Sequence, residues 1–191
     1  MLREIAHVWQ QAHPDLSAQP LFALVAALWD SDSREARLVA LCLLTCYPHH
    51  VPALGWEHFD RWRRDLESRA RTDVLAREVL GVWLLSHPAH HFGHLWDQLI
   101  RGNRWNRRLA LVATTWLNQA HEDVNHPGVT LFLVDQVKDA CEPVVTEAIA
   151  CALSALGSVR RDVVLTYLDR NRNTLAENVV RSAEESLRAS P

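Results

Sequence analysis

One pattern recurs along the chain: an amphipathic helical stripe, a short break, and another stripe. Val145, Ala148, Ile149, Ala152, Leu153 and Leu156 follow the i, i+3, i+4, i+7, i+8, i+11 series of a helix with one apolar face, and Ala36, Val39, Ala40, Leu43, Leu44 and Tyr47 follow it too. Similar stripes run near 74–85, 107–118 and 175–187, each with a second helix before it. Pro48–Pro52, His87–Pro88, His126–Gly128 and Gly157–Ser158 supply the breaks. Helical pairs therefore return about every 30 to 40 residues, a spacing at which neighbouring pairs must stack to bury their apolar faces. Segments such as LVALCLL are apolar on more than one side and suit an inner layer. No alternating strand pattern competes.

The expected fold is all-α, a HEAT-like helical-repeat solenoid (an α-α superhelix), curved, with caps at its ends. At 191 residues the chain is long enough for one domain with a sizeable core, so residues 1–191 are read as a single repeat domain. Hydrophobic residues at 48% and only 6 glycines disfavour a disordered or fibrous chain. No apolar run approaches the roughly 18 residues of a membrane span, and the start MLREIAHVWQ lacks the apolar centre of a signal peptide. The reading is a soluble, cytoplasmic protein. Cys42, Cys46, Cys141 and Cys151 show no CxxC spacing and read as small buried hydrophobes in a reducing compartment.

Net charge is only −3, which excludes bulk attraction to nucleic acid. The kind of charge is more telling. Lys138 is the sole lysine and every other basic residue is Arg, whose planar fork binds phosphate bidentately. Arg61, Arg63, Arg64, Arg69 and Arg71 form one cluster and Arg101, Arg104, Arg107 and Arg108 another, while Glu122 to Glu147 is mostly acidic. A basic strip on a near-neutral protein and ordinary solvated helix faces both fit this pattern.

Two constellations stand out. In Gly55-Trp56-Glu57-His58-Phe59-Asp60, helical spacing puts Trp56 and Asp60 on one face, an aromatic plane beside a carboxylate. The alternative is that Trp56 anchors the core and Asp60 pairs with Arg64 one turn on. Trp105-Asn106-Arg107-Arg108 opens the helix that continues LALVATTW. Arginines there add to the positive end of the helix dipole, a conflict that an anionic partner would relieve.

At these residues the chain resembles the AlkD-like DNA alkylation repair family, HEAT-like glycosylases that excise alkylated purines. Trp56 to Asp60 is similar to the family's W-x-x-x-D motif, and Trp105 to Arg108 to its W-x-x-R followed by an apolar helix. Val145 to Leu153, with Val163, Val164, Tyr167 and Leu168 beyond, resembles its KAIxWxLR region. The similarity runs from about residue 20 to the C-terminus. It implies that Trp56 stands beside the lesion, Asp60 near the sugar and Arg108 on a phosphate. Arg104, Arg107, Trp105, Arg63 and Arg64 would add backbone contacts to duplex DNA, mostly without sequence preference.

The sequence departs from the family at three places in the last motif. Cys151 stands where the family has a second lesion-facing tryptophan, Ser154 where it has arginine and Glu147 where it has lysine. The N-terminal cap also reads as shorter than in typical members. Two functions stay open: excision of N3- or N7-alkylated purines, and a catalytically weak or inactive DNA-binding or scaffold relative. For excision, the cationic base leaves neutral, so the developing oxocarbenium sugar is what needs a carboxylate, and the Trp56 face would attract the cationic nucleotide.

A separate cluster, His87-Pro88-Ala89-His90-His91-Phe92-Gly93-His94, sets His90 and His94 one helical turn apart, the spacing of a metal pair. No nearby cysteine completes a set, and imidazoles on a solvated face are the reading taken. Trp83 and Trp116 lie on apolar stripes and read as core. No metal or cofactor is expected, and the chain reads as a monomer.

Overall fold

The computed structural model describes residues 2–87, 91–119 and 126–189. Among them are twelve α-helices and no strand: α1 (Leu2–Ala12), α2 (Ala18–Asp30), α3 (Arg34–Cys46), α4 (Trp56–Trp62), α5 (Arg69–Val74), α6 (Gly81–Ser86), α7 (His91–Arg101), α8 (Arg104–Gln119), α9 (Pro127–Asp135), α10 (Pro143–Gly157), α11 (Arg161–Asn171) and α12 (Glu177–Ala189). None is long and apolar enough to cross a membrane. The repeating stripes read from the sequence are α3, α5 to α6, α8, α10 and α12. Among the described residues they make an all-α fold of the helical-repeat class.

The described residues form two compact units, one ending at His87 and the other beginning beyond it. In the first, α3 is the inner helix. Ala40, Leu41, Cys42, Leu43 and Leu44 are buried in succession because α1, α2 and α5 surround them on different sides. Ser33 caps α3 by accepting the Ala36 amide at 3.2 Å, which satisfies a donor the first turn cannot. The apolar stripe Leu21, Val25 and Trp29 of α2 packs inward, and the Trp29 indole donates to Asp65 at 2.8 Å. Pro48–Ala53, read as a break, is a 3₁₀ turn. Between α5 and α6, Leu75–Leu80 is π-helical, so Arg69 to Ser86 is one continuous helical run.

In the second unit α10 is the inner helix, flanked chiefly by α8 and α12. Pro127 and Pro143 occupy the first positions of α9 and α10, where a missing N–H costs nothing. The α7–α8 turn needs Gly102, because a Cβ there would clash with the Gln98 carbonyl oxygen. Asn103 then caps α8, accepting from the Trp105 and Asn106 amides at 2.9 and 3.1 Å.

Two sequence expectations are corrected. None of the four cysteines is in a disulfide, but only Cys42 is buried; Cys46 and Cys151 are half-buried, and Cys141 is exposed because it precedes α10 instead of lying within a helix. Trp83 is core, whereas Trp116 is 36% exposed, since α8 buries the faces on either side of it and leaves that one outward.

Candidate nucleic-acid interface

In the first unit Trp56 and Asp60 sit on α4, and Arg63 and Arg64 follow it in a 3₁₀ turn. Phe59 and Trp62, three apart, are the buried anchors of α4, so positions 56, 60 and 63 fall on a partly open face. Trp56 is half-buried, its ring stacked on Phe59 at 5.4 Å between centroids and tilted against Trp83 at 5.6 Å. It therefore stands between the two sequence readings: the ring packs on core aromatics, and the residue is partly exposed.

Asp60 is half-buried and doubly held. Arg63 Nε donates to Oδ1 at 2.7 Å with Nη2 at 2.6 Å from the same oxygen, and Arg64 Nη2 donates to Oδ2 at 2.6 Å. The Arg63 hydrogen bond, then that of Arg64, keeps its carboxyl below the usual range. Asp60 is thus an anion at neutral pH, with both oxygens occupied by guanidinium. Two more members of the first arginine cluster are also engaged, Arg61 with Asp30 and Arg71 with Glu67.

In the second unit the N-terminus of α8 presents Arg104, Trp105 and Arg107. Arg104 is exposed, its Cζ 5.6 Å from the centre of the half-buried Trp105 ring, within cation–π range. Arg107 is half-buried and pairs with Glu142 at 3.6 Å. Arg108 turns inward: its side chain is only 3% exposed, donates to the Val144 carbonyl at 3.2 Å and lies 3.6 Å from Glu147. This guanidinium is thus held within the protein by α10.

The three altered motif positions share a surface. On α10, Ala148 to Ala150, Ala152, Leu153 and Ala155 to Gly157 are buried, while Glu147, Cys151 and Ser154 form a half-buried stripe at i, i+4, i+7. The departures thus lie together on the open face of α10, with Arg108 of α8 against one end. Sequence reasoning missed this pairing, although the change from a basic to an acidic residue at position 147 was its signal. Of the histidine cluster, His90 lies outside the described residues.

A family model described as DNA alkylation repair enzyme matches residues 1–187. The chain belongs to that family. Among solved structures it is similar to a predicted DNA alkylation repair enzyme from Enterococcus faecalis, with a TM-score of 0.80 and 16% identity over 98% of this chain and 85% of that one. That likeness shows the fold. No curated protein matches the chain. Family membership supports a role in DNA repair, with DNA as the partner class.

Proposed function

We propose that this chain binds duplex DNA and excises N3- or N7-alkylated purines by hydrolysing the N-glycosidic bond. The observation that carries the reading is on α4, where a half-buried Trp56 and an ionised Asp60 share one face. Trp56, half-buried and backed by Phe59 and Trp83, offers an aromatic plane whose quadrupole attracts a cationic nucleotide. Asp60 supplies negative charge to the oxocarbenium sugar as the base departs, and an oxygen to orient the attacking water.

The arginines on Asp60 give the site a resting state. With Arg63 and Arg64 in place the carboxylate is neutralised. When DNA phosphates draw those guanidiniums away, the charge of Asp60 is available to the sugar. Arg104 and Arg107 add phosphate contacts from α8, Trp105 supports Arg104, and Arg108 joins them once Glu147 gives way. The protein acts in the cytoplasm as a monomer and needs no cofactor.

A second reading, a DNA-binding relative without excision, has its own observation: the Arg108–Glu147 pair and the small Cys151 and Ser154 side chains on one stripe of α10. Release of N7-methylguanine and N3-methyladenine from methylated duplex DNA separates the two. Release above the spontaneous rate supports excision; tight binding without release supports the second reading.

A further inference from the structure

The first unit holds a cavity that the DNA reading does not use. Its volume is about 250 Å³, room for several waters at about 30 Å³ each. Leu2, Leu38 and Ala70 give it an apolar wall, and Arg34, Glu67 and Arg71 line the polar side together with Glu35 and Ser68.

Arg71 is the unusual member. Its side chain is 3% exposed, yet a guanidinium keeps its charge at any physiological pH. Nη2 donates to Glu67 Oε1 at 2.7 Å and Nε reaches Ser68 Oγ at 3.4 Å, but Nη1 is buried with no hydrogen-bond partner. Arg34 comes from α3 to the same Glu67 oxygen, its Nε at 2.8 Å. One carboxylate oxygen therefore sits between two guanidiniums from different helices, while a donor of the buried one is left unsatisfied. Buried donors are seldom left so, and each such case calls for a physical reason.

We infer that this cavity is an oxyanion site for a phosphate group, and that Glu67 is its internal stand-in. Two convergent guanidiniums suit a tetrahedral oxyanion with several acceptor oxygens better than a carboxylate that brings one oxygen to both. Phosphate brings several acceptor oxygens in place of the single carboxylate oxygen that both arginines share. The Glu67 side chain is 48% exposed and can turn outward, and the Arg34 side chain, 76% exposed, can follow an incoming anion. Arg71 stays fixed. With Glu35 and Glu67 both present the lining is neutral overall, so an anion gains most when Glu67 leaves. Such a site is separate from the Trp56–Asp60 face, and inorganic phosphate and a backbone phosphodiester share the chemistry it recognises.

The test is calorimetric titration of the full chain with inorganic phosphate and, separately, with a short unmodified duplex. Glu67→Gln should bind phosphate about tenfold more tightly than wild type, having lost a charge-assisted competitor for both arginines. Glu35→Gln removes the same charge from the same lining without touching the Arg34–Glu67–Arg71 contact and should not share the gain. Arg34→Gln added to Glu67→Gln should reverse it, and this exposed position serves where Arg71→Gln fails to fold. A gain for phosphate alone assigns the site to the free anion; a gain that includes the duplex, or is confined to it, assigns it to the phosphodiester. If neither ligand binds more tightly to Glu67→Gln, or Glu35→Gln shows an equal gain, the inference is overturned.

Discussion

Arg108 of α8 and Glu147 of α10 face each other at 3.6 Å, with the arginine side chain almost wholly buried and the glutamate half-exposed. A cation that the family motif leads one to expect on a phosphate is thereby held by an internal carboxylate. Removing one partner of a buried pair is costly when the charge left behind is the buried one. Here the more exposed member is the one open to change.

Glu147→Gln should therefore tighten duplex binding, and Glu147→Lys should tighten it further. Each additional phosphate neutralised by the protein steepens the dependence of log affinity on log salt by about 0.9. Fluorescence anisotropy across a salt series reads both quantities. Unchanged affinity and slope in both variants would mean that Arg108 serves only to hold α8 against α10.

The Asp60 pairing makes a pH prediction. Its carboxyl is depressed in the folded protein by Arg63 first and Arg64 second, so the unfolded state binds the proton at higher pH than the folded state does. The contribution to stability is complete above the unfolded value of about 3.9 and is lost as pH falls from there through the folded value. Partial exposure keeps it small. Arg64→Ala should raise the Asp60 value and shrink this loss. Urea denaturation of both proteins below about pH 5 checks it, and identical acid limbs would contradict it.

Trp56 and Trp62 lie on the same helix but should respond differently to truncation. Trp62 is fully buried, so Trp62→Ala should cost about 3–5 kcal/mol. Trp56 is half-buried and Trp56→Ala should cost about 1–2 kcal/mol, mainly the packing against Phe59 and Trp83. Denaturant midpoints at equal slope measure both. A larger loss for Trp56→Ala would make it a core anchor instead of a site residue.

Cysteine reactivity should rank by exposure. Burial pushes the thiols of Cys42 and Cys46 up, while Cys141 is exposed before α10. Timed alkylation with iodoacetamide followed by peptide mass mapping should label Cys141 first and Cys42 last. Early labelling of Cys42 would show that α3 opens readily to solvent.

Much of the architecture was legible because helical periodicity is local. The stripes of α3 and α10 announce inner helices, and their breaks fall where proline or glycine interrupts them. The Trp56–Asp60 face was legible for the same reason, since residues four apart on a helix must share a side. Pairings between helices were not. Nothing near Arg108 in sequence says that Glu147 meets it, nor does the Glu67–Arg71 spacing reveal that Arg34 reaches the same oxygen. The π-helical Leu75–Leu80 was invisible because its composition is that of an ordinary helix. Cys141 was misread because apolar neighbours in sequence do not place a residue that precedes its helix.

In the proposed reaction the Asp60 charge acts on the transition state of base release. The most direct measurement is single-turnover release of N7-methylguanine and N3-methyladenine from methylated duplex, by wild type and Asp60→Asn, with affinity measured on the same DNA. Asn keeps the shape and removes the charge that Arg63 and Arg64 neutralise, so affinity should be unchanged or tighter. The release rate should fall by about 10²- to 10³-fold, the scale of losing one preorganised electrostatic group. Equal release rates for the two proteins, or no release by wild type above the spontaneous background, would contradict the account.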